Sequence, residues 1–206
     1  MNFSSNARSH PLKNKWILTS FYTAKTGYEK LAPKFKQTAF SAGIPEMTID
    51  VFPNLKDWHK NTRIKAVIIR EHLIGLEGLY DAIVFVDIDA RFHSYPLLFD
   101  GLDCDFAAHF RNWRHARDEL LSGTLFFRIN KRTLDLVNDW IELNKQNPNV
   151  WEQKNLQRAF KRAPTLKHAK LPIEYCTIFD DPNRSKIEPV IEHFQASRKL
   201  RYEVTK

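Results

Sequence analysis

Two cysteines in 206 residues are too few for a disulfide framework, and Cys104 and Cys176 fall in neither a CxxC nor a zinc-ligand spacing. Both are expected to be reduced, structural thiols. No apolar run approaches the roughly 20 residues of a membrane span. Met1 to Lys15 is polar, with no hydrophobic stretch of the signal-peptide kind. A cytoplasmic location is therefore expected. Internal repeats and low-complexity tracts are also missing, which excludes a solenoid and a disordered polar chain. Acidic residues are in the minority: 32 Lys and Arg stand against 24 Asp and Glu, a formal net charge of +8. Such a surplus suits nucleic acid, phosphorylated substrates or anionic lipid, but charge without clustering specifies no partner.

What is present is the material of one globular domain. The chain is 43 % hydrophobic, with fifteen Phe and five Trp for a bulky core. A chain of this length buries roughly 70 % of its extended surface without staples. Residues 1–14 read as a flexible N-terminal arm and 15–206 as one domain ending in a basic tail from Ser197. Lys15 to Ser20 predicts a first strand, Tyr28 to Ala42 a helix, and Met47 to Phe52 a second strand by its alternation. Thr62 to Ile74 predicts a second helix, with Asn61 or Thr62 as its cap. Ala82 to Val86 (AIVFV) is a continuous apolar run, the pattern of a strand buried on both faces. Strand and helix alternate over the first 90 residues, which argues an open α/β sheet flanked by helices. Farther on, Phe106 to His109 and Leu125 to Ile129 predict strands. Lys131 to Lys145, capped by Asn130, and Trp151 to Arg162 predict helices.

The sharpest feature is AIVFVDIDARF, residues 82–92, where a buried strand ends in two aspartates. Ligands of open α/β sheets bind beyond the carboxyl ends of the strands. At period two, Asp87 and Asp89 point to one side. Two hard oxygen donors so placed can hold Mg²⁺ or Mn²⁺ and leave sites for phosphate oxygens. Two enzyme classes use this local pattern: glycosyltransferases of GT-A fold, and haloacid-dehalogenase-like phosphatases, in which the first Asp, here Asp87, is a nucleophile. Ser122 to Thr124 and Asp180-Asp181 could stand for the later phosphatase motifs.

FVDIDARF resembles the metal-binding segment of GT-A nucleotide-diphospho-sugar glycosyltransferases, and five further segments agree in order. ILTSFYT (17–23) resembles the first strand and nucleotide loop, which implies that Thr19, Ser20 and Tyr22 face base and ribose. DWHKNTRIK (57–65) resembles a Trp-x-x-Asn-x-x-x-Lys stretch. It implies donor contacts from Trp58 and Asn61, with Lys65 at the diphosphate or sugar. SGTLFF (122–127) resembles the lining of the sugar pocket, through Ser122 and Gly123. WEQKNL (151–156) resembles an acidic-Gln-x-x-Leu element at the reacting sugar, with Glu152 where Asp is common, followed by Gln153. HFQASRK (193–199) resembles the His-Phe-x-Gly-x-x-Lys segment of glycogenin-like members, with Ala196 in the Gly position. That resemblance implies His193 as a third metal ligand beside Asp87 and Asp89, and Arg198 or Lys199 at the diphosphate.

The resemblance thus implies a nucleotide-sugar donor, a UDP-sugar first, with Mn²⁺ or Mg²⁺ as cofactor and Glu152, Gln153 and Asp89 as catalytic residues. The glycogenin-like segments lean towards retention of configuration. The acceptor is open. Residues 109–121 (HFRNWRHARDELL) read as a basic, aromatic loop. In it Arg111, Trp113, Arg114 and Arg117 could grip phosphates and stack on a base or a sugar. A hydroxylated base in DNA and a saccharide both remain as acceptors. The alternatives are a phosphatase using Asp87 and a basic, non-catalytic nucleic-acid-binding module.

Overall fold

The computed structural model describes residues 14–113 and 116–202. The expected arm up to residue 13 and the last four residues of the tail lie outside this range. Asn14 is fixed: its backbone N–H donates to Asp100 O and its side-chain amide to Phe99 O and Leu102 O.

A six-stranded mixed sheet runs in the order β2 (Met47–Phe52), β1 (Trp16–Thr23), β3 (Ala82–Val86), β6 (Ala116–Arg128), β5 (Phe106–Trp113), β7 (His168–Lys170). The β2–β1–β3 half is parallel; β6 runs antiparallel to both β3 and β5. All five residues of β3 are buried, as the apolar run requires of a central strand. Alternation divides them between two cores. Val84 and Val86 pack with Phe35 and Ala39 of α1 (Ala32–Ser41) and Phe99 of the one-turn α3 (Leu98–Gly101) on one face. Ile83 and Phe85 pack on the other with Ala66 and Ile69 of α2 (Trp58–Gly75) and Trp140 of α4 (Lys131–Gln146). A second sheet, β4 (Ala90–Phe92), β9 (Ile191–His193), β8 (Thr177–Ile178), brings the chain back beside the end of β3. Among the described residues no helix is long and apolar enough to cross a membrane.

Several boundaries differ from the sequence reading. The helix expected from Tyr28 begins at Ala32, after a 3₁₀ turn over Gly27–Leu31, because Pro33 fits only a first turn. α2 starts at Trp58, capped by the Asp57 carboxylate, which accepts from Lys60 N–H; Asn61 and Thr62 lie inside it. Asn130 caps α4 as expected. α5 (Glu152–Lys161) falls within a residue of its expected bounds. The largest correction concerns residues 109–121. Residues 109–113 and 116–121 are no loop but the outer parts of the paired strands β5 and β6, with Arg111 opposite Glu119. The side chains of Trp113, Arg114 and Arg117 lie outside the described ones.

β6 also carries a bulge. Ala108 faces Leu125 but His109 faces Leu121, so Ser122, Gly123 and Thr124 have no partner on β5. They serve β3 instead: Thr124 pairs with Val86, and Gly123 O accepts from Asp87 N–H at 2.8 Å. A bulge bends its strand and re-aims its side chains; here it turns Ser122 and Gly123 towards the end of β3.

Asp105, buried at the start of β5, ties three elements together. It accepts both arms of the Arg132 fork at 2.7 and 2.8 Å, Asn130 Nδ2 at 2.8 Å and Lys167 N–H at 3.0 Å. The Arg132 bonds, aided by Asn130 and Lys167, hold its carboxyl down at about 2 against burial. A depressed carboxylate stabilises above its unfolded value near 3.8, and that stability is lost as pH falls through about 2. Asp105→Ala should therefore cost about 2 kcal/mol at pH 7 by urea unfolding. The gap to wild type should close between pH 4 and pH 2; an undiminished gap at pH 2 would remove the charge-based account.

Candidate active site

A cavity of about 420 Å³ opens where β1 and β3 end. It is closed by the N-terminal half of α2, the β6 bulge, the start of α5, and the 193–201 segment after β9. Its size suits a ligand larger than a single sugar.

At its base Lys65 is 4 % exposed. Its Nζ lies 2.9 Å from Asp87 Oδ1 and 3.2 Å from Glu152 Oε1, and it donates to Ser122 O at 3.1 Å. Ser122 Oγ also donates to Glu152 Oε1, at 2.8 Å. Burial opposes the Lys65 charge, but Asp87 and Glu152 outweigh it and hold the ammonium protonated well above its ordinary range. The two carboxylates share one cation, so burial wins for each: Asp87 and Glu152 are both raised.

Asp89 is held differently. Asp87–Ile88–Asp89 is a turn, not a continued strand, closed by Ala90 N–H on Asp87 O at 3.0 Å. Both aspartates nevertheless face the cavity. Asp89 Oδ2 accepts from Ala196 N–H at 2.7 Å, and its Oδ1 lies 3.8 Å from His193 Nδ1. Burial would raise Asp89, but His193 and the Ala196 N–H overcome it and leave the carboxyl below its usual range. His193 Nε2 lies 2.8 Å from Thr124 Oγ1. Burial opposes a charge on His193, but Cys176 and Asp89 outweigh it and raise the imidazole to about 10, so without a metal it faces Asp89 as a cation, and a metal ion would take the place of its Nδ1 proton. Ligand atoms of Asp87, Asp89 and His193 lie within 4.8 Å of one another, a set of two oxygens and one nitrogen that could hold a divalent metal ion. The charges fit as well. Three carboxylates stand against the Lys65 ammonium and the His193 imidazolium, so a divalent cation that displaced the imidazolium proton would balance the remaining charge.

Most residues singled out in the sequence line this cavity: Tyr22, Trp58, Asn61 and Lys65, then Ser122 and Gly123, Glu152 and Gln153, and Arg198. Asn61 acts as a staple there, accepting from Leu55 N–H and donating to Asn54 Oδ1, both at 2.9 Å. Arg198 is ion-paired with Asp180. Three residues fall elsewhere. Thr19 and Ser20 are fully buried within the sheet, because β1 runs on to Thr23; Phe21, Tyr22 and Thr23 reach the cavity. Lys199 does not line it, whereas Arg201 does. Sequence reasoning missed Tyr28, Glu119 and Trp151. Burial pushes the Tyr28 hydroxyl up to about 12, so it stays a neutral donor. Glu119 was findable only by pairing it with Arg111 across the hairpin.

Two outcomes follow from this geometry. Lys65→Met should destabilise the fold by roughly 3 kcal/mol at neutral pH, since it leaves the buried Glu152 and the half-buried Asp87 without a cation. Urea unfolding at pH 5 should show a smaller loss, because Asp87 and Glu152 can then take protons; equal losses at pH 5 and 7.5 would show the cation not to matter. At Gly123 an added Cβ would stand 2.9 Å from His193 Cε1. Gly123→Ala should push the imidazole away and weaken Mn²⁺ binding at least tenfold by calorimetry, with the circular dichroism spectrum kept; unchanged affinity would take His193 out of the metal set.

No family model and no curated protein sequence matches the chain. Solved structures do. A glycosyltransferase involved in the glycosylation of the major capsid of PBCV-1 aligns with TM-score 0.70 at 16 % identity, over 93 % of this chain and 97 % of that one. GlyE of Streptococcus pneumoniae TIGR4, a glycosyltransferase, aligns with TM-score 0.60 at 15 % identity, over 94 % of this chain and 60 % of that one. The bifunctional glycosyltransferase WbbM aligns with TM-score 0.61 at 10 % identity, over 88 % of this chain and 46 % of that one. The chain thus has the GT-A-like fold of nucleotide-sugar glycosyltransferases, a mixed sheet flanked by helices in a single domain.

Proposed function

We propose that this protein is a metal-dependent glycosyltransferase of the cytoplasm. It moves a sugar from a nucleotide-diphospho-sugar, a UDP-sugar first, to a hydroxyl acceptor. The observation that carries this reading is the convergence of Asp87, Asp89 and His193 beside the buried Glu152, in a cavity of a glycosyltransferase-like fold. Asp87, Asp89 and His193 would hold Mn²⁺ or Mg²⁺, which neutralises the departing diphosphate when bound. Tyr22, Tyr28 and Trp58 offer aromatic faces to the nucleotide, and Arg201 replaces Lys199 as the tail cation facing the cavity.

Glu152 flanks the reacting sugar in this reading. Lys65 and Ser122 fix its Oε1, and Oε2 is buried with no hydrogen-bond partner among the described residues. Such an oxygen can face the developing positive charge of the transferred sugar or take the acceptor proton. The first role accompanies retention, which the glycogenin-like segments favour. Gln153 is oriented by Ser122 N–H, donated to its Oε1 at 3.1 Å. The phosphatase reading has less support, since the solved structures of similar fold are glycosyltransferases.

The test is release of free nucleoside diphosphate from a panel of UDP-, GDP- and ADP-sugars, with Mn²⁺ or with EDTA. One donor should be turned over with Mn²⁺ alone, and Asp89→Asn should lower that rate by roughly a hundredfold or more. No release from any donor, with no thermal shift by any nucleotide, would remove the proposal.

A further inference from the structure

The net charge of +8 invites a polyanionic acceptor, yet the cavity does not share it. Four Lys or Arg and four Asp or Glu side chains line it, with His193 beside them. The basic ones are largely committed: Lys65 to Asp87 and Glu152, Arg111 to Glu119 at 2.8 Å, and Arg198 to Asp180. Recognition of a phosphodiester chain rests on cations that exchange counterions for phosphates. Cations already matched to carboxylates supply little of that.

What the cavity offers is paired polar chemistry beside an aromatic face. Glu119 Oε2 accepts from Arg111 and its Oε1 from Gln153 Nε2, at 3.2 Å. A carboxylate has about four lone-pair sites, so each oxygen keeps capacity for a further hydroxyl donor. The Glu119 side chain is 24 % exposed, on the cavity wall. Trp151, two residues before Gln153, is 48 % exposed and held edge-on by Trp58, with ring centroids 6.1 Å apart. A carboxylate that binds adjacent hydroxyls and an indole that takes the C–H face of a pyranose together suit a carbohydrate. Both flank Gln153, and through it they adjoin Glu152.

We propose that the acceptor is a neutral saccharide, bound between the Trp151 ring and the Glu119 carboxylate, with Arg111 positioning Glu119 from across the hairpin. The inference rests on the glycosyltransferase reading and names its acceptor class. In the transfer, an acceptor oxygen forms the new bond to the anomeric carbon, and the bond from that carbon to the diphosphate oxygen breaks. The nucleoside diphosphate leaves with the bonding electron pair, and the acceptor proton passes to a base.

The experiment uses the full chain with Mn²⁺ and whichever nucleotide sugar it hydrolyses, labelled in the sugar. Three kinds of acceptor probe compete: neutral mono- and disaccharides, a single-stranded oligodeoxynucleotide carrying a hydroxymethylated base, and a Ser/Thr peptide. Label should pass to at least one neutral saccharide. Glu119→Gln should raise the KM for that saccharide at least tenfold with a smaller effect on kcat, and Arg111→Lys should do the same to a lesser degree. Label on the oligonucleotide or peptide alone, donor hydrolysis with no saccharide product, or a wild-type saccharide KM in Glu119→Gln would each overturn the inference while leaving the glycosyltransferase reading in place. Absence of donor hydrolysis, together with no thermal shift by any nucleotide, would sink that reading, and the acceptor class with it.

Discussion

A buried ammonium shared between two carboxylates fixes the relation of four chain segments around the cavity. Lys65 belongs to α2, Asp87 follows β3, Ser122 lies in the β6 bulge and Glu152 opens α5, and all four meet at one nitrogen. Removing these charges from water is costly, and the cost is offset only when each keeps close partners. None of the four segments can shift far without leaving a charge unpaired. Phe85 lies under the ammonium, its ring centroid 5.2 Å from Nζ, so the apolar strand below adds to the same anchor. The arrangement also explains why a helix otherwise packed by Ala66, Ile69 and Leu73 carries a lysine on its inner side.

The β6 bulge is the second constraint, and it follows from β6 having two neighbours with different demands. Along Leu125–Phe127 it pairs with β3 and β5 at once. Beyond Thr124 the two ladders part: Gly123 O goes to Asp87 N–H, while Leu121 resumes with His109. Ser122 and Gly123, which have no partner on β5, line the cavity instead. Thr124 thereby reaches His193, and Gly123 leaves room for its ring. Glycine is required there for space rather than for backbone freedom, since its φ is not positive. The His193 contact links the small sheet to the large one at the candidate metal ligands.

How much of this was legible in the sequence depended on whether the signal was local. AIVFV followed by two aspartates marked the central strand and its end, because burial on both faces leaves no alternation to misread. Asn130 marked the start of α4 for the same reason: a cap acts through its own next residues. The outer hairpin was not legible. Its sequence mixes basic, polar and aromatic residues with no period-two alternation, so a loop is the natural reading. The bulge was hidden more deeply, since it exists only through the competition of two partner strands. Asn61 was misread as a cap because its partners, Asn54 and Leu55, lie in the loop before the helix rather than in its first turn.

The segment after His193 shows how a departure from a familiar pattern can keep the local chemistry. The sequence has Ala196 where the resembling enzymes usually have Gly, a change that would matter if that residue needed a left-handed backbone. It does not: Ala196 has φ −56° and ψ −28°, ordinary right-handed values. The left-handed residue is its neighbour Gln195, at φ 51°. Left-handed backbone is uncommon for a residue other than Gly and costs roughly 1 kcal/mol or more, so the surroundings must hold it. They do so through Asp89, whose backbone O accepts from Phe194 N–H at 3.3 Å and whose carboxylate accepts from Ala196 N–H at 2.7 Å. The turn strained at Gln195 therefore presents two successive donors around it to one aspartate. A side chain at 196 is no obstacle to this, because the group used is the backbone N–H, which alanine and glycine offer alike.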